Sequence, residues 1–142
     1  MTRSDWISIL AQARPDTVAR LAACVEAEVN VEITRAAATA LLLATVREAV
    51  NGGHFHPGEV LVTTCEVRSG TCLGQSVILG SDREKAQGCA VLDAALQQDF
   101  PSRDAVLEAL ADERERRRRA ERAEEEMVRS TLVRFDIMDP QR

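Results

Sequence analysis

The tightest constraint on this chain is a Ser69-Gly70 pair set between two strand-like runs, residues 59–68 and 71–80. Val60, Val62 and Val67 supply the β-branched setting of a strand, and a short glycine-containing turn folds the second run back on the first. Upstream, Asn51-Gly52-Gly53 is another break, because adjacent glycines open backbone angles closed to other residues. Before that break, residues 35–50 read two ways. Their alanines favour helix, while Leu41, Leu42, Leu43, Thr45 and Val46 suit a strand buried on both faces, and period alone does not separate the two. Val29, Val31 and Ile33 alternate with Asn30, Glu32 and Thr34 as a short strand. Connections this short join antiparallel neighbours only, so the strands form an antiparallel meander.

Helices flank it. Ser4 is placed to cap a first helix with Trp6, Ile9 and Leu10 on one face, and Pro15 suits the first turn of a second, with Val18, Leu21 and Val25 inward. Ser81-Asp82-Arg83-Glu84 has capping-box spacing and opens a helix carrying Ala86, Cys89, Leu92 and Leu96. Gly88 inside it costs roughly 1 kcal/mol relative to Ala and leaves room for a close helix–sheet approach. Pro101-Ser102 starts a last helix on Val106, Leu107 and Leu110, which runs into a long charged segment. There Asp112–Arg116, Glu113–Arg117 and Glu115–Arg119 stand at i, i+4 in the favourable order. In the final stretch Thr131, Val133, Phe135 and Ile137 alternate with Leu132, Arg134, Asp136 and Met138, a strand-like tail. The expectation is one α+β domain over residues 1–127, an antiparallel β-meander packed with helices, with residues 128–142 as an extended partner-binding tail. A chain of 142 residues suits one core.

With one Trp, three Phe and no Tyr, that core lacks large anchors, which invites burial against a partner. A formal charge of −5 is the opposite of a nucleic-acid binder's balance. The four-arginine run 116–119 sits among carboxylates and reads as a solvated helix. The N-terminal apolar run is too short for a signal peptide and no stretch is long enough for a membrane span, so a cytoplasmic protein is expected. Cys24, Cys65, Cys72 and Cys89 show no Cys-x-x-Cys pair. Cys65 and Cys72 flank the hairpin turn as candidates for one face of the sheet, expected as free buried thiols. His54 and His56 straddle Phe55 and read as two surface loop histidines. No Gly-x-Ser-x-Gly elbow or Gly-x-x-x-x-Gly-Lys phosphate loop is present. A cysteine-dependent redox role would fall on Cys72 beside the turn and needs a low-pKa thiol.

The centre of the chain carries a resemblance. Asn51-Gly52-Gly53-His54-Phe55-His56-Pro57-Gly58-Glu59 is followed by Leu61-Val62-Thr63-Thr64-Cys65-Glu66-Val67-Arg68, then Gly74, Ile78-Leu79-Gly80-Ser81-Asp82 and Leu92-Asp93-Ala94. In order and spacing this resembles the G subunit of the bacterial carbon–phosphorus lyase core complex, the PhnG family, over most of residues 4–100 plus the tail around Arg134-Phe135. The resemblance implies a strand from about Ala40, and an accessory subunit with no catalytic, cofactor or metal residue of its own. It implies partners of the H, I, J and L types, the I subunit in direct contact, and neither nucleic acid nor membrane. With H, I and L it would transfer the ribose triphosphate of ATP onto an alkylphosphonate, releasing adenine, before an iron–sulfur J subunit cleaves the carbon–phosphorus bond. Thr64 stands where that family has Arg, and Ser81-Asp82-Arg83 where it has Arg-Asp-Lys; Arg83 can replace the Lys, but Thr64 cannot replace an Arg. Partner contacts are expected at Val133, Phe135 and Ile137, with packing of the tail onto the chain's own sheet as the alternative, and anion-facing positions at Arg35, Arg68 and Arg83. The alternative is a stand-alone module that recruits peptides by strand-edge pairing, or a homo-oligomer when isolated.

Overall fold

The computed structural model describes residues 1–130. The hairpin is built from β2 (His54–Ser69) and β3 (Cys72–Leu79), with Ser69 opposite Cys72 and Gly70 at φ 58 in the tight turn. β1 (Glu32–Arg47) pairs antiparallel with the other side of β2, completing a sheet of order β1-β2-β3. The inner face presents Thr63, Cys65, Val67 and Ser69 from β2 and Gly74, Ser76 and Ile78 from β3, all buried. Cys72 shares that face but is only half-buried. All four cysteines are free thiols, and Cys24 is exposed rather than buried.

Against the inner face lies α3 (Arg83–Leu96), buried without interruption from Gly88 to Leu96. It is buried all round because α1 (Arg3–Gln12) and α2 (Pro15–Glu26) cover its far side. Gly74 sets the sheet-to-helix distance: a Cβ there would lie 2.1 Å from the Ala90 carbonyl oxygen and 2.4 Å from the Ala94 nitrogen. Gly88 performs a different task from the one expected. It faces α2, where a Cβ would come within 2.8 Å of Val18 Cγ1. Pro15 occupies the first turn of α2, as expected.

The caps sit off the expected residues. Thr2, not Ser4, caps α1: its hydroxyl accepts from the Asp5 N–H and the Asp5 carboxylate accepts from the Thr2 N–H at 2.7 Å. Asp82, not Ser81, caps α3, its Oδ1 accepting from the Lys85 N–H at 2.9 Å. At α1 the reciprocal bond with Asp5 fixes the cap at Thr2, and at α3 the Asp82 carboxylate satisfies the Lys85 N–H by itself.

β1 starts at Glu32, well before Ala40, and Val29 and Val31 precede it as partly buried residues packed on the core. Pairing of β1 with β2 at Arg35 and again from Ala38 overrides the helix propensity of Ala36–Ala38, which span a break in the register. Leu41, Leu42 and Leu43 are strand residues, but they are not buried on both faces. β3 stops at Leu79, opposite Val62, whereas β1 and β2 continue together to Arg47 opposite His54. Beyond Val62 the sheet is therefore a two-stranded arm, and Leu41 and Leu43 are 59% and 58% exposed on it.

The last helix, α4 (Arg103–Ser130), anchors through buried Val106 and Leu110 and continues as the exposed charged rod. Of the three expected i, i+4 pairs only Arg119–Glu115 forms, at 3.4 Å. Arg116 turns instead to Glu113 at i−3, and Arg117 to Glu121. The reason is that Glu113 is buried and fixed from outside the helix, as described below. Among the described residues no helix is long and apolar enough to cross a membrane. Val133, Phe135 and Ile137 lie outside the described residues.

Candidate functional site

Two buried carboxylates organise the helical layer. Asp93, fully buried on α3, accepts four hydrogen bonds: from Arg3 Nε at 3.1 Å, Arg3 Nη2 at 2.8 Å, Trp6 Nε1 at 3.0 Å and the Gln75 backbone N–H at 3.0 Å. One side chain thereby ties α1 to α3 and to the free edge of β3. The bond from Arg3 to Asp93 also raises the guanidinium's pKa. A signal was legible in the sequence: a lone carboxylate inside the apolar run Val91-Leu92-Asp93-Ala94-Ala95-Leu96. A charge is buried only when paired and hydrogen-bonded.

Glu113 on α4 does similar work at the start of α2. It accepts from the Arg14 backbone N–H at 3.1 Å and from Arg116 Nε at 3.0 Å and Nη2 at 2.6 Å. Arg14, the N-cap residue of α2, makes no side-chain cap of its own, so Glu113 places its negative charge there from another helix. The bonds from Arg116, reinforced by Arg14, hold its carboxyl down at about 2 against an ordinary 4.5. Because the folded value is depressed, the stabilisation is complete above pH 4.5 and is lost as pH falls from there towards 2. Glu113→Gln is expected to cost about 1–3 kcal/mol at neutral pH and to flatten the acid limb of a Tm-against-pH profile. An unchanged acid limb would remove Glu113 from the account.

The thiols give no support to cysteine chemistry on the inner face. Burial pushes Cys89 up to about 12 and raises Cys65 as well. Brief alkylation of the native protein, read by peptide mass spectrometry, should label exposed Cys24 first. Cys65 and Cys89 should react only after unfolding, and rapid labelling of either would contradict the packing.

His54 and His56 belong to β2 rather than to a loop. Both are exposed, and His56 Nδ1 lies 3.1 Å from Thr45 Oγ1 and 3.3 Å from the Ala44 carbonyl oxygen, which binds the ring across the arm. Among the described residues no group of three or more His, Cys, Asp or Glu could hold a metal ion.

Arg35 and Arg68 do come together, on the outer face of the sheet around Glu66. Arg35 pairs in register with Glu66, which neighbours Arg68 on β2. Glu66 accepts from Gln75 Nε2 at 3.1 Å and Thr34 Oγ1 at 3.0 Å; these bonds, then the charges of Arg35 and Arg68, lower its carboxyl pKa. Arg83, in the first turn of α3, does not join them: Arg68 is opposite Leu73 at the start of β3, and Arg83 follows the strand's far end, about 20 Å along.

The arm is left with exposed apolar residues among the described residues. Leu41, Leu42, Leu43, Phe55 and Leu61 are all at least 46% exposed on a ribbon that is two-stranded among the described residues. A two-stranded hairpin alone is marginal in water, and apolar side chains clustered on both of its faces mark an interaction surface. Chemistry is not what such an arm offers. It offers area to bury.

The model of one family, described as phosphonate metabolism protein PhnG, matches residues 1–139. With nearly the whole chain inside that match, the protein belongs to the PhnG family and its role lies in phosphonate metabolism.

Proposed function

We propose that this chain is an accessory subunit of the carbon–phosphorus lyase system. It works with H-, I- and L-type proteins to transfer the ribose triphosphate of ATP onto an alkylphosphonate with release of adenine, while catalytic groups reside in its partners. The observation that carries this reading is the exposed apolar arm, 40–47 with 54–61, on a chain of the PhnG family. A subunit needs such a surface, and a free-standing protein is penalised for it. The I-type subunit is the direct partner, the J- and L-type proteins complete the cytoplasmic system, and ATP enters through the assembly rather than through a cofactor site of this chain. The alternating tail residues Val133, Phe135 and Ile137 form a second contact. Arg35, Arg68 and Arg83 are the positions that meet anionic groups in the assembled enzyme.

An omission experiment tests this. Purified H-, I- and L-type proteins from the same genome are incubated with ATP and methylphosphonate, with or without this chain, and adenine is quantified by chromatography. Adenine release that depends on the chain supports the reading. Equal release in its absence overturns it.

A further inference from the structure

Among the described residues the sheet has three stretches of free strand edge, and the fold treats them differently. On β3 the edge is closed by side chains: the Gln75 N–H donates to Asp93, and the Leu73 carbonyl oxygen accepts from Arg3 Nη2 at 3.0 Å and Gln97 Nε2 at 2.8 Å. On the arm portion of β2 the edge is broken by Pro57, which has no N–H, and by the register slip that leaves His56 and Pro57 opposite Thr45. Proline and bulges are the usual means of blunting an edge.

β1 is different. From Ala38 to Ala44 it pairs with Thr64 to Gly58 in unbroken register, and its other edge carries no proline and no charged residue. That stretch, Ala-Thr-Ala-Leu-Leu-Leu-Ala, is about 20 Å long. Uncharged, proline-free edges of this kind pair with another strand when one is offered. Its first flanking charge on either side is an arginine, Arg35 or Arg47, both exposed and neither in an ion pair among the described residues. Glu66, the carboxylate beside Arg35, is itself occupied by Gln75 and Thr34.

We infer that the free edge of β1, from Ala38 to Ala44, receives a strand from another protein, an apolar extended segment flanked at each end by a carboxylate that meets Arg35 or Arg47. Main-chain bonds along the edge supply affinity, and the two arginines set register and select against basic or neutral flanks. The exposed leucines of β1 lie beside the added strand and are covered by its side chains on both faces. This rests on the subunit reading above, with the I-type protein as the donor.

Hydrogen–deuterium exchange on the full chain, free and with the purified I-type protein, tests the two separately. In the complex, peptides spanning residues 38–44 should exchange at least about tenfold more slowly than in the free chain. Arg47→Glu should weaken the complex about tenfold, and added salt should weaken the wild-type complex. If the complex forms and residues 38–44 exchange as before, strand addition is wrong and the subunit reading stands. If the free chain already protects this edge as a dimer and the partner adds nothing, the occupant is a second copy and the inference fails. If no complex forms, both fail.

Discussion

Asp93→Ala is expected to destabilise the protein by about 2–4 kcal/mol, the cost of leaving the Trp6 and Gln75 donors without their buried acceptor. The carboxylate is fully buried, and its loss strands the Trp6 indole N–H and the Gln75 backbone N–H, while the half-exposed Arg3 guanidinium keeps the Leu73 carbonyl and reaches water. Each buried donor left unpaired costs on the order of 1–3 kcal/mol. Arg3→Ala should cost less, because that side chain is 47% exposed and Asp93 would keep Trp6 and Gln75. Asp93→Asn should fall between the two, since it keeps the size but exchanges an acceptor for a donor facing donors. Chemical denaturation of the three variants measures the order. Should Asp93→Ala be as stable as Arg3→Ala, the hub is a bystander and α1 is held by apolar packing alone.

Gly74→Ala should cost about 3 kcal/mol, the upper end for an overpacked core, and lower Tm by about 10 °C. The added Cβ meets backbone at 2.1 and 2.4 Å, at Ala90 and Ala94. No rotamer can relieve that, so β3 and α3 must separate where both are buried. Gly53→Ala is the control: it meets nothing within 4 Å and should change stability by no more than about 0.5 kcal/mol. Equal Tm values for the two variants would show that the sheet-to-helix spacing is not set at Gly74.

Much of this arrangement was readable in advance. The meander, the Gly70 turn, Pro15 at the head of α2 and the buried stripe of α3 follow from local chemistry, and local chemistry agrees with the fold there. Three things were not readable. Ala36–Ala38 carry helix propensity, and only the pairing of β1 with β2 on either side of the register break, at Arg35 and from Ala38, holds them as strand. Gly74 looks like any strand glycine until α3 is laid across it. Glu113 is one of many carboxylates in a charged run, and nothing local distinguishes the one that reaches the head of α2. The arm was half legible. Leu41–Leu43 read as residues needing cover on both sides, and none of the described residues provides it. Their burial is written in the sequence; under the subunit reading proposed above, the surface that completes it is a partner's.

The central claim is that this arm exists to be covered by a partner subunit, and one co-purification tests it most directly. The chain, wild type or carrying Leu41→Lys and Leu43→Lys, is co-expressed with a tagged I-type protein from the same genome and resolved by size-exclusion chromatography. Both leucines are already more than half exposed, so the double variant should keep the wild-type Tm when purified alone. The account predicts that the wild type co-elutes with the I-type protein and that the folded double variant does not. Co-elution of the double variant at wild-type yield, or a wild-type chain that elutes alone beside a folded I-type protein, would contradict it.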